Sequence, residues 1–516
     1  MPWEVSSQTA KVDPASYYMF DHDEIDRRRT LGEVNDKLRS LYELTSTSVS
    51  FDAEGRQKDG EDGLSKLSDI RGNIKVSTPV FDDNRLTATV TVGSAKAGSP
   101  NADSNRKYGS NALMMAAQSL ANRLNALSNA AKAAVNTDRA NSTGGTTVTA
   151  AVDALASQMH VSSSVINAIA NRGYVTGAEM AAINMTSDTW MTGLTQLMSN
   201  FGLDVNNNDQ MTALMYNYTD SSYGMTPGSS ISDHGASFNL ALEGPLYRAD
   251  IGSTPIGKDG STFTGGIYLH PRLDKNTELR LNLERRAVED SILSYYGVKD
   301  EYSGTYYGAV TKNGGSVGLA WDNGSYGSYG NVSYYYYKGE NVRSNSSYGI
   351  SLGAYARPIH NSVQTLQAGV NFDYMTFKHN ENLFTTGHGG YFSPKDYYAL
   401  SFPVDLKRKY NENLELTLGA SIGYQSYTNQ AEDYFPTNSS WQSLLDTMVA
   451  GGLAPASRFA QEDKDGISGS VKFGLDYRFT DAFSVNALFN YSTFGDYKEA
   501  NELLTFKYLT GVDAFF

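Results

Sequence analysis

Leu366-Gln367-Ala368-Gly369-Val370-Asn371-Phe372-Asp373-Tyr374 alternates apolar with polar or small residues without a break. Successive side chains of a strand point to opposite faces. Leu366, Ala368, Val370, Phe372 and Tyr374 therefore share one face, and Gln367, Asn371 and Asp373 the other. The same period recurs along the chain. Ile74, Val76, Leu86, Ala88, Val90 and Val92 line one face of two early segments, with Thr, Asn and Lys opposite. Leu279, Leu281 and Leu283 oppose Arg280, Asn282 and Glu284, and Leu400, Phe402, Val404 and Leu406 oppose Ser401, Asp405 and Lys407. Leu414, Leu416, Leu418 and Ile422 stand against Glu415, Thr417 and Ser421. Val471, Phe473, Leu475 and Tyr477 stand against Ser470, Lys472, Asp476 and Arg478. After Val485, Ala487, Phe489 and Tyr491, a last run alternates through Leu504, Phe506, Tyr508, Thr510, Val512 and Ala514 to a terminal Phe516. About sixteen strands are predicted, most near the roughly 9–11 residues that cross a bilayer when tilted.

A soluble sandwich would alternate too. The connections separate the two readings. Short links (Asp82 to Asn84, Glu243 to Pro245, Asp274 to Asn276, Asn323 to Gly330, Arg357 to Asn361, Asn411 to Asn413, Thr480-Asp481) take turns with longer loops at 58–66, 96–233, 258–264, 288–314, 378–396 and 426–466. Only the link near Arg343 to Ser347 is short where a long one is expected. Tight turns at one end and long loops at the other are the habit of outer-membrane barrels. The predicted fold is an all-β transmembrane protein: an antiparallel outer-membrane β-barrel of about 16 strands, with an α-helical insertion between strands 3 and 4.

Composition agrees. Of 516 residues, 40% are hydrophobic and 19% charged, and none is cysteine, which excludes disulfides, thiolate metal sites and cysteine nucleophiles. A net charge of -14 argues against a nucleic-acid partner. Mean hydropathy is -0.42. No stretch approaches the roughly 20 apolar residues of a membrane-spanning helix, a test that β-barrels escape because only alternate residues meet lipid.

The expected organisation is a linker with one helix at 1–45, barrel strands 1–3 at 46–95, a helical extracellular insertion at 96–233, and strands 4–16 at 234–516. The linker helix rests on Ile25, Leu31, Val34, Leu38 and Leu41 at helical spacing. Within the insertion, Ala112–Val135, Val148–Ala170 and Ala178–Leu197 read as helices broken by Gly144-Gly145, Gly173 and Gly177, with Met114, Met115, Met159, Met180 and Met198 as adaptable core filler.

If the apolar faces meet lipid, Arg71, Lys75, Arg280, Asn282, Glu284, Asn371, Asp373, Asp405, Lys407, Lys472, Asp476 and Arg478 line the interior. Mixed charges suit a wet channel and also pair across the wall to brace it. Tyrosines cluster at Tyr306-Tyr307, Tyr334 to Tyr337 and Tyr397-Tyr398. At the lipid boundary they form girdles; pointing inward, as Tyr355 would, they offer flat faces to sugar rings. Asp204 to Asp209 starts like a calcium loop but lacks the glycine at position six and has Met215 where an acid is required, so a polar turn is the reading. His379 and His388 share a metal only if their loop folds back. No Gly-x-Ser-x-Gly elbow or phosphate-binding loop is present, and strand carboxylates are too numerous to single out a catalytic pair. No catalytic residue, metal or cofactor is expected.

Several stretches resemble one family. Asp250 to Gly257, Leu283 to Gly297, Tyr307 to Gly315 and His388-Gly389-Gly390-Tyr391-Phe392-Ser393-Pro394, followed by Ser401 to Val404, are similar in order and content to the C-terminal barrel of the bacterial cellulose synthase operon protein C, the outer-membrane cellulose-export subunit. Residues 63–75 resemble that family's second strand, so the likeness covers about 46–95 and 234–516. It implies a β-1,4-glucan threaded outward through the barrel without hydrolysis, an outer-membrane lipid setting, and an inner-membrane cellulose synthase complex reached through an upstream periplasmic tetratricopeptide region. Neither that region nor a secretory signal is found at 1–45, so a barrel-only fragment or a split gene is expected. Loop 378–396, with His388, Gly389, Gly390, Tyr391, Phe392 and Pro394, is expected over or in the mouth as a gate. The rival readings are a general diffusion porin and a barrel-embedded hydrolase.

Overall fold

In hydrocarbon every backbone polar group needs an internal partner, so a sheet there must close on itself. The computed structural model describes residues 41–81, 83–183, 204, 207, 230–494 and 497–511. Among these, sixteen antiparallel strands close into one barrel. They are β1 Ser48–Lys58, β2 Leu67–Val80, β3 Asn84–Gly98, β4 Ile231–Gly244, β5 Tyr247–Ser253, β6 Phe263–Leu269, β7 Thr277–Ala287 and β8 Tyr306–Asp322. Then follow β9 Tyr326–Glu340, β10 Asn345–His360, β11 Gln364–Phe377, β12 Lys395–Lys409, β13 Leu414–Asn429, β14 Glu462–Arg478, β15 Phe483–Phe494 and β16 Tyr497–Leu509. Each strand pairs with its sequence neighbours, and β16 closes on β1, with Ser48 opposite Leu509 and Lys58 opposite Glu499.

The alternation sets which side meets the bilayer. Val90, Val92, Phe238, Leu240, Leu283, Leu352, Phe372, Phe402, Leu418, Ile422 and Val471 are all exposed on the outside. Links at 245–246, 323–325, 361–363, 410–413 and 479–482 form one end. Loops at 59–66, 254–262, 288–305, 378–394 and 430–461 form the other, interrupted by the short link 341–344.

Strands extend further into the links than the sequence pattern indicates. β10 runs on to His360 through an irregularity between Ala356 and Ile359. Pro358, which has no N–H to donate, sits there, as prolines in sheets do at bulges. β8 begins at Tyr306, and its register with β9 shifts between Gly308 and Thr311. Gly308 has φ of 102°, and a Cβ there would lie 2.2 Å from the Leu293 carbonyl oxygen, so only glycine fits.

The described residues form two compact units, the barrel and a helical unit drawn from 101–229 and 433–459. The helical unit contains α1 Ala102–Arg106, α2 Asn111–Asn141, α3 Ala150–Gln158, α4 Ser163–Arg172 and α5 Gly177–Ala182. The barrel unit carries α6 Ile292–Tyr296, and α7 Ser439–Ala450 returns to the helical unit. Leu113, Ala116, Ala117, Leu120, Leu124, Leu127 and Ala131 make one buried stripe of α2. The stripe packs with Val152, Ile166, Ile169, Met180 and, from the distant loop, Leu444, Leu445 and Met448.

The single helix expected over Val148–Ala170 is two. His160, at φ 55°, breaks it between α3 and α4. The buried Asp138 carboxylate accepts from the amides of Ala151 and Val152, both at 2.8 Å, and so fixes where α3 starts. The 1–45 helix (but for its last turn), the helix expected beyond 183, the segment around Asp204 to Asp209 (but for Asp204 and Asn207), Met198 and the run Val512 to Phe516 lie outside the described residues.

Candidate functional site

The sequence-selected residues share the strand parity opposite to the exposed aliphatic rows. These residues do not converge on one point. They ring the wall in local pairs. Lys75 bonds the Asp52 carboxylate, which also accepts from Thr505. Arg280 meets Glu278 at 2.7 Å. Glu284, with Asn282 two residues before it, accepts from the Tyr335 hydroxyl at 3.0 Å and faces Arg286 and Lys312 at 3.4 and 3.5 Å. Asn371 accepts from Tyr329, Asp373 from Ser351 and Asp476 from Asn486. Lys407 pairs with Glu415 at 2.7 Å, and Arg478 approaches Glu43 at 3.9 Å. Asp405 and Lys472 flank Gly419 in register across β12, β13 and β14. Tyr355 points inward, but its hydroxyl donates to Asp322 and the Arg357 guanidinium covers its ring at 4.8 Å. That face is already occupied.

Tyrosines divide by parity. Tyr334, Tyr336, Tyr348, Tyr398 and Tyr424 are exposed outward near the long-loop end, and Tyr326, Tyr410 and Phe479 near the other. These are the two girdles. Their neighbours Tyr335, Tyr337 and Tyr397 turn inward.

There they meet two loops folded into the lumen. Loop 378–394 is pinned at Glu381, which is fully buried. Its carboxylate accepts from Arg343 Nε at 2.6 Å and from the Gly389 amide at 3.1 Å, and lies 3.3 Å from His388 Nδ1. Arg343 also donates to Glu432 at 2.8 Å and, through its own amide, to the Gly387 carbonyl. Tyr391 stacks on Tyr337 with centroids 5.1 Å apart and touches Phe377. Phe392 meets Tyr397 and Tyr427 edge-on, and Tyr427 continues to Phe494. Pro394 accepts the Phe377 amide. Burial, with Glu381 nearby, pushes the Tyr391 phenol well above its usual range. Burial and the Arg343 guanidinium hold the His379 imidazole below its ordinary value.

The second loop, 288–305, carries α6, started by Ser291 and Ser294 in reciprocal caps. Tyr296 packs on inward-facing Leu67, Ala95 and Ala97 of β2 and β3. Arg71, bound to Asp69 and Glu289, lies over the Tyr295 ring at 4.7 Å. Arg56 and Lys58 of β1 donate to the carbonyls of Glu289 and Asp290 at 2.7 and 2.8 Å. The loops are joined by Ser291 Oγ donating to the Gly390 carbonyl at 2.6 Å and the Phe392 amide to the Asp290 carboxylate at 2.8 Å. Gly390, at φ 67°, leaves room for Leu293; a Cβ would come within 2.9 Å of it. Together the loops bridge β2–β3 on one side and β9–β13 on the other.

Sequence reasoning singled out loop 378–396 and gave no role to loop 288–305. The 283–297 stretch stood out only by resemblance, and Arg343 lay in a link remarkable only for being short. Nothing in either stretch has a period that announces an inward fold. Among the described residues, no group of three His, Asp or Glu side chains is placed to hold a metal ion.

A closed sixteen-stranded sheet with an aliphatic outer belt, two aromatic girdles and a polar interior is an outer-membrane β-barrel, here with two loops joined to each other on its inner side. The family described as Cellulose synthase operon protein C C-terminus matches residues 166–511, and the chain belongs to it. The likeness noted at 46–95 lies outside that range.

Cellulose synthase operon protein C of Xanthomonas axonopodis pv. citri (strain 306) is 31% identical over 288 residues, 54% of this chain and 19% of that protein. Its counterpart in Pseudomonas fluorescens (strain SBW25) is 30% identical over 280 residues, 54% and 21% of the two chains. The chain thus spans about a fifth of the length of these relatives. A solved bacterial polysaccharide outer membrane secretin is similar at 8% identity and a TM-score of 0.44, covering 90% of this chain and 99% of that one.

Proposed function

We propose that the barrel is a passive conduit for an uncharged exopolysaccharide, cellulose or a close β-1,4-glucan relative, gated by the two in-folded loops. The observation that carries this is the interior: charges of both signs pair along its wall, as Lys75 with Asp52, Arg280 with Glu278 and Lys407 with Glu415, and hydroxyls, amides and aromatic rings stand among them for a neutral polymer. A pore selecting ions would need a ring of one charge sign. The motive force comes from an inner-membrane cellulose synthase complex through a periplasmic region upstream. On this reading the protein is not an enzyme, and needs no cofactor and no nucleic acid. Arg71, Lys75, Lys472 and the other inward residues form the wetted wall, while His388 to Pro394 belong to the gate.

Single-channel conductance with and without soluble cello-oligosaccharides tests it. Block by the sugars in a variant whose plug is loosened is the expected result. An open pore indifferent to sugar would make it a diffusion porin, and turnover of glucan or lipid would make it a hydrolase.

Short turns in such barrels face the periplasm. With that orientation the chain leaves β3 at Gly98 and re-enters β4 at Ile231 on the extracellular side. Protease added to intact cells is then expected to cut within 142–149, the link between α2 and α3, and to leave the strands protected. Cleavage only after the outer membrane is opened would reverse the topology.

A further inference from the structure

The outer wall is not uniform where its strands are shortest. Registers across β4 to β7 place Leu240, Ile251, Gly265 and Arg285 in one outward row, and Leu242, Ala249, Ile267 and Leu283 in the row beside it. Gly265 and Ala249 are too small to fill their places. The result is a shallow, open recess of about 740 Å³ lined mainly by Leu240, Leu242, Ile251, Ile267 and Leu283, with Asp250, Gly266 and Glu284 also in its lining. Its aliphatic walls face the bilayer, so its occupant comes from the hydrocarbon phase.

The second observation is Arg285. On the outward face of β7 it follows Leu279, Leu281 and Leu283, and it is exposed. One of its donors goes to Thr262 Oγ1 at 2.9 Å. A cation at the edge of an apolar belt is placed where lipid phosphates lie, and a guanidinium offers several donors to one phosphate. Its strand register puts it directly beside the Gly265 notch.

We propose that this recess is a specific lipid site: one acyl chain of a phosphate-bearing membrane lipid lies over Gly265 between Ile251 and Ile267, with the phosphate on Arg285. The site anchors the barrel's height and rotation against a lipid beside the short strands. It is independent of what passes through the lumen.

The test uses the full chain purified from membranes in mild detergent, with retained lipid read by native mass spectrometry. Wild type is expected to keep one phosphate-bearing lipid through detergent exchange. Ile267→Trp, which fills the recess from the lipid face, is expected to abolish retention. R285Q is expected to weaken it about tenfold, the scale of a charge-assisted hydrogen bond. Leu418→Trp, on another part of the outer wall, is expected to change nothing. Heat-modified gel mobility reports whether each variant folds; should Ile267→Trp not fold, R285Q decides. A lipid-free wild type, a dimer masking the recess, or retention equal in wild type and R285Q would overturn the proposal.

Discussion

Arg343→Ala is expected to unseat loop 378–394 and open the lumen. Arg343 sits in the link between β9 and β10, yet it holds Glu381 at 2.6 Å, Glu432 at 2.8 Å and, by its amide, Gly387. Removing it leaves a fully buried carboxylate without its cation. Uncompensated buried charges of this kind cost about 3–5 kcal/mol. The loop has an alternative the barrel lacks, since it can leave the lumen and hydrate Glu381 while the strands stay paired. The loss should therefore appear as gating rather than unfolding: higher single-channel conductance with unchanged heat-modified mobility.

The double variant Arg343→Met with Glu381→Leu is expected to stay closer to wild type than the sum of the two single variants, because the members of a charge pair couple. Conductance unchanged in Arg343→Ala would mean that the aromatic contacts of Tyr391 and Phe392 alone hold the plug.

Leu418→Arg is expected to destabilise the barrel by about 2–4 kcal/mol where the residue lies near the bilayer midplane, whereas Thr417→Arg should be mild. Leu418 is 48% exposed on the outer face and lies between Leu406 and Phe473 of the adjoining strands. A cation there faces hydrocarbon from a row with no polar partner. Thr417 is one residue away and points inward, with Lys407 and Gly474 opposite. An arginine there reaches lumen water and Glu415. Unfolding free energies in lipid vesicles measure the difference. Equal losses would mean that β13 does not separate lipid from water.

The gap between what was legible and what was not follows from range. Sidedness is local. Whether Leu418 or Thr417 meets lipid follows from the two-residue repeat of a strand, which the sequence carries at every step. Strand number, barrel class and the rhythm of turns and loops could all be read before any tertiary contact was known. The alternation likewise sorts Tyr334 from Tyr335, although composition alone suggests girdles for both.

Other features were decided only by the closed tertiary structure. Ser291 meets Gly390, Arg343 meets Glu381, and α7 joins the core of α2, all between segments with no shared period. Tyr355 loses its open face to Arg357 because barrel closure puts Asp322 beside both. The outward recess exists because three registers align Gly265 with Ile251 and Arg285. Loops inside a barrel are held by single hydrogen bonds and ring contacts between distant positions, and such contacts leave no periodic trace in sequence. The wall of this protein is therefore written residue by residue, while its plug is written only in three dimensions.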